Sequence, residues 1–559
     1  MRPHAALAVL SLLAACGGDD GGPTGEMAVT VTHYDYTFDI TTRAAHSKLT
    51  ATVDTAGDCL VLPFRGTGFD PATAKIDGKP AVSAQANDTQ VMMCGEGHAA
   101  GKQITIDTDE TVALKTESTS QVGYSVTNDS NGNPFHYLVS WVGGCDRFGP
   151  CDSRPDQFAT YTFHVTHADT LKVVCSGTIT QVSPTETQCD FRYEGGPTYS
   201  TFAIAAYPKT AWIATDKGMW GSLHATVYDR PTTMVADAIL PSYNDGFVRW
   251  MEQTFGPYPY GTELRILTAP TYWSGFEHPG NIILDDGLAR TLQPAYVHNV
   301  QHILGHEIVH QWAGDQTTLA DTYDFVWKEA MAEYLTFVYE DMREPLAAKG
   351  TASYWKRASA GSEYFPVPGE KPPLFTYYGD VYGPGPMILF RQLEVLSSRP
   401  QVIAAIASVL GKSHAISVDD VVAALAAKTS LDLTAYTAAW IKGTGAPEWP
   451  VINTRFSAGA GTSTLHVTQT KGAARRCKFH IALEGAQPTD SVLVAVDTFK
   501  NGIDQTLTVP TPAFTVTRTT LDPNHECLVF AGTLARKREV PPPWLTERAL
   551  RTFPGPTRP

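Results

Sequence analysis

The sequence predicts a multidomain chain: an all-β N-terminal domain, an α+β middle domain and a small C-terminal β-sandwich. Three observations carry this. Before about residue 205, apolar and polar residues alternate with period two, and Gly, Asn and Asp clusters break the runs. From about 206 to 446 the spacing turns helical and includes His306-Glu307-Ile308-Val309-His310. From 450 to 534 short alternating runs return, about 85 residues in all, the size of a small sandwich. At 559 residues the chain has room for about three domains with full cores.

The elements follow in order. Arg2 and the apolar run Ala5 to Ala15 end in Leu13-Ala14-Ala15-Cys16-Gly17, which resembles a bacterial lipoprotein signal. The expectation is a signal over 1–16 and a flexible tether over 17–26. Lipid on Cys16 would then hold an exported chain to a membrane of the cell envelope. An ordinary secretory signal and a secreted product are the alternative. No other apolar run is long enough to span a bilayer. Of nine cysteines, eight remain beyond Cys16, an even number suited to disulfides in an oxidising compartment. Proximity in the chain suggests Cys59 with Cys94, Cys145 with Cys151, Cys175 with Cys189, and Cys477 with Cys527.

The N-terminal domain, 27–205, shows strand alternation at Met27 to Thr32, Tyr161 to Val165 and Leu171 to Cys175. In the middle domain, 206–446, helical spacing covers Asp237 to Phe255, and Glu263 to Leu267 is a candidate strand. Ser417-Val418-Asp419-Asp420 reads as a capped helix start. The last domain, 447–535, alternates at Thr464 to Thr468 and Ser491 to Val496. The tail, 536–559, is basic and proline-rich. Net charge is -15, from 57 acidic and 42 basic residues, which argues against nucleic acid as a partner. Oligomeric state leaves no signal in the sequence.

The chemistry concentrates at His306 and His310. Two histidines four apart share one helix face and can reach one metal ion, and Glu307 between them points near the open position. Eighteen residues after His310 comes Glu329, on a second helix expected around Val326 to Tyr339. Three protein ligands plus water is the arrangement of a catalytic zinc. None of the cysteines lies near this segment, which disfavours a thiolate site. His298 and His302 extend the same stripe at helical spacing. Ile303-Leu304-Gly305 offers no base between His302 and His306, so these two read as second-layer or satisfied core histidines.

Gly275-Phe276-Glu277-His278-Pro279-Gly280, then His306 to His310 with Glu329, then Val381-Tyr382-Gly383-Pro384-Gly385 stand in this order along the chain. They resemble the three motifs of the aminopeptidase N family, the gluzincin group that includes leukotriene hydrolase. The resemblance covers about 30 to 535, a short form without the C-terminal helical domain of large relatives. It implies a thermolysin-like α+β zinc catalytic domain holding one Zn2+ on His306, His310 and Glu329. It implies Glu307 as general base and Tyr382 as donor to the oxyanion. Glu277, with Gly275, would bind the free α-ammonium of a peptide, and Glu333 would orient a histidine ligand. Phe276, His278, Pro384 and Pro386 depart from the family pattern. Trp141 falls where relatives place a Gln or Glu against the substrate amine. The expected activity is hydrolysis of the N-terminal peptide bond of peptides. The alternatives are a zinc endopeptidase or other zinc hydrolase on the same site, or an inactive surface binding lipoprotein.

Overall fold

In the computed structural model, residues 23–114, 122–129, 131–141, 144–197, 203–271 and 273–532 are described. The expected signal with Cys16, most of the tether and the tail 536–559 lie outside the described residues.

The alternating runs of the N-terminal region are strands, because period-two patterning lets one face of each strand bury its apolar residues. Met27 to Thr32 lies within Glu26–Asp39, Tyr161 to Val165 within Thr160–Thr166, and the third run is Leu171–Cys175. Glu26–Asp39 pairs antiparallel with Ala44–Thr55 and parallel with Thr160–Thr166 inside an eleven-stranded sheet. Its alternate residues Tyr34, Tyr36 and Phe38 are buried, and Tyr34 and Tyr36 stack on Tyr161 and Phe163. A second sheet of four strands includes Leu171–Cys175 and Ala203–Pro208. Among the described residues of this region, helix is confined to the single turn Cys145–Arg147. All four cysteine pairs suggested by proximity are disulfides. Each closes a short loop, a constraint that contributes about 2–4 kcal/mol.

The middle region is built on a five-stranded sheet. Its strands are β1 (Ile213–Trp220), β2 (Leu223–Asp229), β3 (Glu263–Ala269), β4 (Gly275–Phe276) and β5 (Asn281–Asp285). The order is β1-β2-β3-β5-β4, with β2, β3 and β5 parallel and β4 antiparallel at the edge. Five helices matter here: α1 (Pro241–Phe255), α2 (Pro294–His310), α3 (Phe325–Arg343), α4 (Pro345–Ser359) and α5 (Leu374–Val381). The helical spacing read from Asp237 is interrupted. A short turn, Val235–Ala238, precedes α1, and the helix proper starts at Pro241, whose missing N–H is tolerated only in a first turn. Pro294 and Pro345 open α2 and α4 for the same reason. The helix expected around Val326 to Tyr339 is α3, longer by about a turn at its C-terminal end. Ser417 and Asp420 form the expected capping box on Val418–Thr429.

α2 is almost wholly buried from Asn299 to His310, and α3 from Phe325 to Glu340. The two helices pack on each other beneath the edge strand β4. Trp312, Trp327 and Trp355 are fully buried around them. After residue 450 come a four-stranded sheet containing Val451–Ser457 and Thr462–Lys471 and a three-stranded sheet containing Lys478–Glu484 and Ser491–Asp497. A buried ion pair, Lys356 with Asp522, ties α4 to this region. No helix among the described residues is long and apolar enough to cross a membrane.

Candidate metal centre

The last turn of α2 carries His306 and His310, and the second turn of α3 carries Glu329. Their ligand atoms converge. His306 Nε2 lies 3.0 Å from His310 Nε2 and 3.1 Å from Glu329 Oε2, and His310 Nε2 lies 3.5 Å from the same oxygen. Donors bound at 2.0–2.1 Å in tetrahedral geometry stand about 3.3 Å apart, so this triangle fits a zinc-sized ion. It is the one His/Cys/Asp/Glu cluster of metal-binding spacing among the described residues.

The rings are held from behind. His310 Nδ1 donates to the carbonyl of Ala313 at 3.0 Å, and His306 Nδ1 lies 3.1 Å from Glu333 Oε1. The Ala313 carbonyl takes up His310 Nδ1 and a carboxylate stands beside His306 Nδ1, so on both rings Nε2 is the nitrogen turned to the candidate metal position. Trp355 Nε1 donates to the other oxygen of Glu333 at 2.7 Å. Charge points the same way. Glu277, Glu307, Glu329 and Glu333 crowd one buried site against the single ammonium of Lys328. Burial alone would lower His306, yet its acceptors Glu329 and Glu333 raise it to about 10. His310 is lowered, by burial and by the Lys328 ammonium.

Glu307 projects from α2 toward β4. A Cβ added at Gly275 would lie 2.2 Å from Glu307 Oε1, so the glycine makes room for the carboxylate against the strand backbone. Burial raises Glu307 to about 8, with His306 opposing. Such a carboxyl exchanges a proton near neutral pH. Three tyrosines compete in the sequence around 380, and the structure separates them. The Tyr377 hydroxyl donates to the carbonyls of Tyr323 and Pro366. Tyr378 packs in an aromatic cluster with Trp141 and Phe325. Tyr382 follows α5, and its ring centroid is 6.2 Å from that of His306. Burial and the carboxylates of Glu329 and Glu307 hold its phenol in the protonated, donating form.

Glu277 follows β4 and is buried. Its loop is fixed by Gln311, which accepts from the Gly280 amide at 2.9 Å and from Tyr258 at 2.8 Å and donates to the Glu277 carbonyl. The carboxylate is already matched: Lys328 Nζ lies 2.9 Å from Glu277 Oε1 and 2.9 Å from Glu329 Oε1. Burial would raise Glu277, but this ammonium holds it at about 2. Lys328 has no solvent exposure and runs across Gly314, where φ is +135° and a Cβ would meet Lys328 Cε at 2.7 Å. Lys328 and Gln311 are the site residues that sequence reasoning missed. Both adjoin a motif residue, Glu329 and His310 respectively, and that adjacency was their only signal. Trp141 packs against Trp273, Phe325 and Tyr378 at 5.0–5.6 Å, so an aromatic wall stands where an amine-contacting polar residue was sought.

Residues 244–364 match the peptidase family M1 domain, a span that holds Glu277, Glu307, His306, His310 and Glu329 and ends before Tyr382. No curated protein sequence matches the chain. Among solved structures, it is similar in fold to the crystal structure of Legionella pneumophila aminopeptidase A in complex with aspartic acid. The TM-score is 0.70 at 14% identity, over 90% of this chain and 60% of that one. The chain therefore spans about three fifths of that protein's length. Residues 244–364 thus carry a peptidase family M1 domain, within a chain that shares the fold of this aminopeptidase structure.

Proposed function

We propose that the chain is a zinc metallopeptidase that hydrolyses the N-terminal peptide bond of peptides. The observation that carries this is the triangle of ligand atoms 3.0–3.5 Å apart, with Glu307 one residue from a ligand on the same helix. Zinc, on which the family depends, would supply Lewis acidity and a water activated at neutral pH. His306, His310 and Glu329 would hold the ion. Glu307 takes a proton from the attacking water and passes it to the departing amine. Tyr382 donates to the oxyanion as the carbonyl carbon becomes tetrahedral. Glu333 keeps the His306 ring in place, and Gly275 lets Glu307 approach the substrate strand position beside β4. Glu277 receives the α-ammonium of a free N-terminus on its carboxylate.

A second reading has a specific observation in its favour. Lys328 already supplies an ammonium to Glu277, so a peptide without a free amine leaves no unpaired carboxylate behind. Cleavage at internal bonds would follow. One digest separates the readings: the same peptide, free and N-acetylated, with mass spectrometry of the products and Glu307→Gln as blank. Stepwise shortening of the free peptide alone supports the aminopeptidase. Internal cleavage of both forms supports an endopeptidase, and cleavage of neither by the zinc-loaded protein refutes both.

The same proposal places the chain in the cell envelope, lipid-anchored at Cys16, and four disulfides support an oxidising compartment. Separate sheets before 205, between 213 and 285, and after 450 support domains at 27–205, 206–446 and 447–535, the last as a sandwich of two sheets.

A further inference from the structure

Two stripes face each other along the contact of α2 and α3. α2 presents His298, His302 and His306 at four-residue steps, and α3 presents Glu333 and Glu340, with Glu344 just past its C-terminal end. Imidazole and carboxylate alternate. Glu333 Oε1 lies 3.1 Å from His306 Nδ1 and 3.6 Å from His302 Nε2. His302 Nδ1 lies 2.7 Å from Glu340 Oε1. Further out, His298 Nε2 is 3.7 Å from that Glu340 oxygen, and its Nδ1 is 3.3 Å from Glu344, whose side chain is 45% exposed. α4 closes the seam from the third side. Trp355 Nε1 binds Glu333 Oε2, and Thr351 Oγ1 donates to Glu340 Oε2 at 3.2 Å.

Every oxygen of the two inner carboxylates is therefore directed. Glu333 is held by Trp355 on one oxygen and shared between two imidazoles on the other. Two buried carboxylates on one helix face destabilise each other unless a cation stands between them. His302 stands there. Burial would lower its pKa, but Glu340 and Glu333 on either side raise it well above the ordinary histidine value. Removing His302 would leave Glu333 free to turn from His306.

We propose that His302 is a positioning residue for the metal centre. Clamped between Glu340 and Glu333, it sets the carboxylate that fixes the tautomer and ring angle of His306, and so governs how tightly the three-ligand site keeps its ion. The inference rests on the reading of His306, His310 and Glu329 as metal ligands.

The test is zinc affinity, measured by competition with a chromophoric chelator on the full chain and its variants. Outer-sphere partners of metal histidines are worth 10–100-fold in affinity, so Glu333→Gln should weaken zinc binding within about that range and His302→Gln about tenfold. In the double variant the losses should not multiply, because His302 acts through Glu333. His298→Gln, which touches the seam only at its outer end, should stay within about twofold of wild type by the same reasoning. If His302→Gln fails to fold, Glu340→Gln serves instead, since it keeps the histidine and loosens one side of its clamp. Its affinity should fall, and an unchanged value would overturn the proposal. So would wild-type affinity in His302→Gln, or losses that multiply in the double variant. A wild-type protein that binds no zinc would overturn the metal reading itself, whereas equal binding by wild type and His302→Gln would overturn only the role of His302.

Discussion

Replacing Lys328 by methionine removes the one ammonium from a cluster of buried carboxylates. The side chains of Lys328 and Glu277 are 0% and 4% exposed, so solvent does not screen the pair. Burial favours the neutral form of Glu277, and Lys328 reverses that, taking the carboxyl from 4.5 to about 2. Breaking a buried ion pair by removing one partner costs roughly 3 kcal/mol or more. Calorimetry of the metal-free protein should show it. With roughly 2–4 °C per kcal/mol for a domain of this size, the midpoint of the catalytic region should drop by roughly 6–12 °C at neutral pH. Because the pair depresses Glu277, its contribution is complete above about pH 4.5 and is lost as pH falls toward 2. The gap between wild type and variant should therefore narrow in acid. The double variant Glu277→Gln with Lys328→Met should recover more than half of the loss, since no uncompensated carboxylate of Glu277 remains. A drop below about 2 °C, or an equal drop in the double variant, would show that Lys328 is not the counter-ion of Glu277.

Three further predictions test the neighbouring parts. Gly275→Ala places a Cβ 2.2 Å from Glu307 Oε1, so the carboxylate must shift; kcat/KM should fall about 100-fold, with zinc content by atomic emission unchanged. Near-normal kinetics would mean that Glu307 works from another position. Glu307→Gln should cost about 10²–10⁴-fold in turnover while the protein still retains its metal, and loss of zinc instead would make Glu307 part of the ligand set. In the N-terminal region, burial raises Glu110 to about 8, against hydrogen bonds from Ser47 and Thr108. Between about pH 4.5 and 8 the folded chain thus carries a proton that the unfolded chain has lost, so stability falls as pH rises, by up to about 1.4 kcal/mol per unit. Glu110→Gln should flatten that decline, and parallel melting curves for both proteins across the window would refute it.

The parts of this site that were legible from sequence are those with a period. A four-residue step puts two histidines on one face, and an eighteen-residue gap returns a glutamate from the next helix to the same point. Strand alternation and short cysteine separations were legible for the same local reason. Lys328 was not, because a lysine beside a glutamate ordinarily reads as solvated surface. Its burial depends on the packing of α2 on α3, on Gly314 giving way to its stem, and on Glu277 arriving from the sheet edge. Gln311 was hidden likewise: its partners Tyr258, Gly280 and Glu277 lie 31 to 53 residues away. The histidine stripe was legible as a pattern, yet its meaning comes from α3. His302 is the buried, satisfied histidine that the stripe suggested, and the two carboxylates that satisfy it reach it from the facing helix. The break before α1 turns on one residue, Pro241, which periodicity does not register.

Lys328 also changes what a motif glutamate can do. A peptide α-ammonium placed on the carboxylate of Glu277 would stand near a second ammonium. At a separation of about 4 Å and an effective dielectric of about 20, that repulsion is about 4 kcal/mol. A charge-assisted hydrogen bond returns about 1.5–3 kcal/mol, so the charged amine gains little on balance. The neutral amine keeps a hydrogen bond without the repulsion, and it predominates above a pKa of about 8. The kcat/KM ratio of free to N-acetylated peptide should therefore rise as pH passes about 8. Changes at Glu307 or the metal ligands affect both substrates and cancel in the ratio, which isolates the amine. In Lys328→Met the repulsion is gone, so the ratio should be high already at neutral pH. A wild-type ratio that is flat or falling above about pH 8 would mean that the amine binds away from Glu277, and that this glutamate serves to hold Lys328 against Glu329.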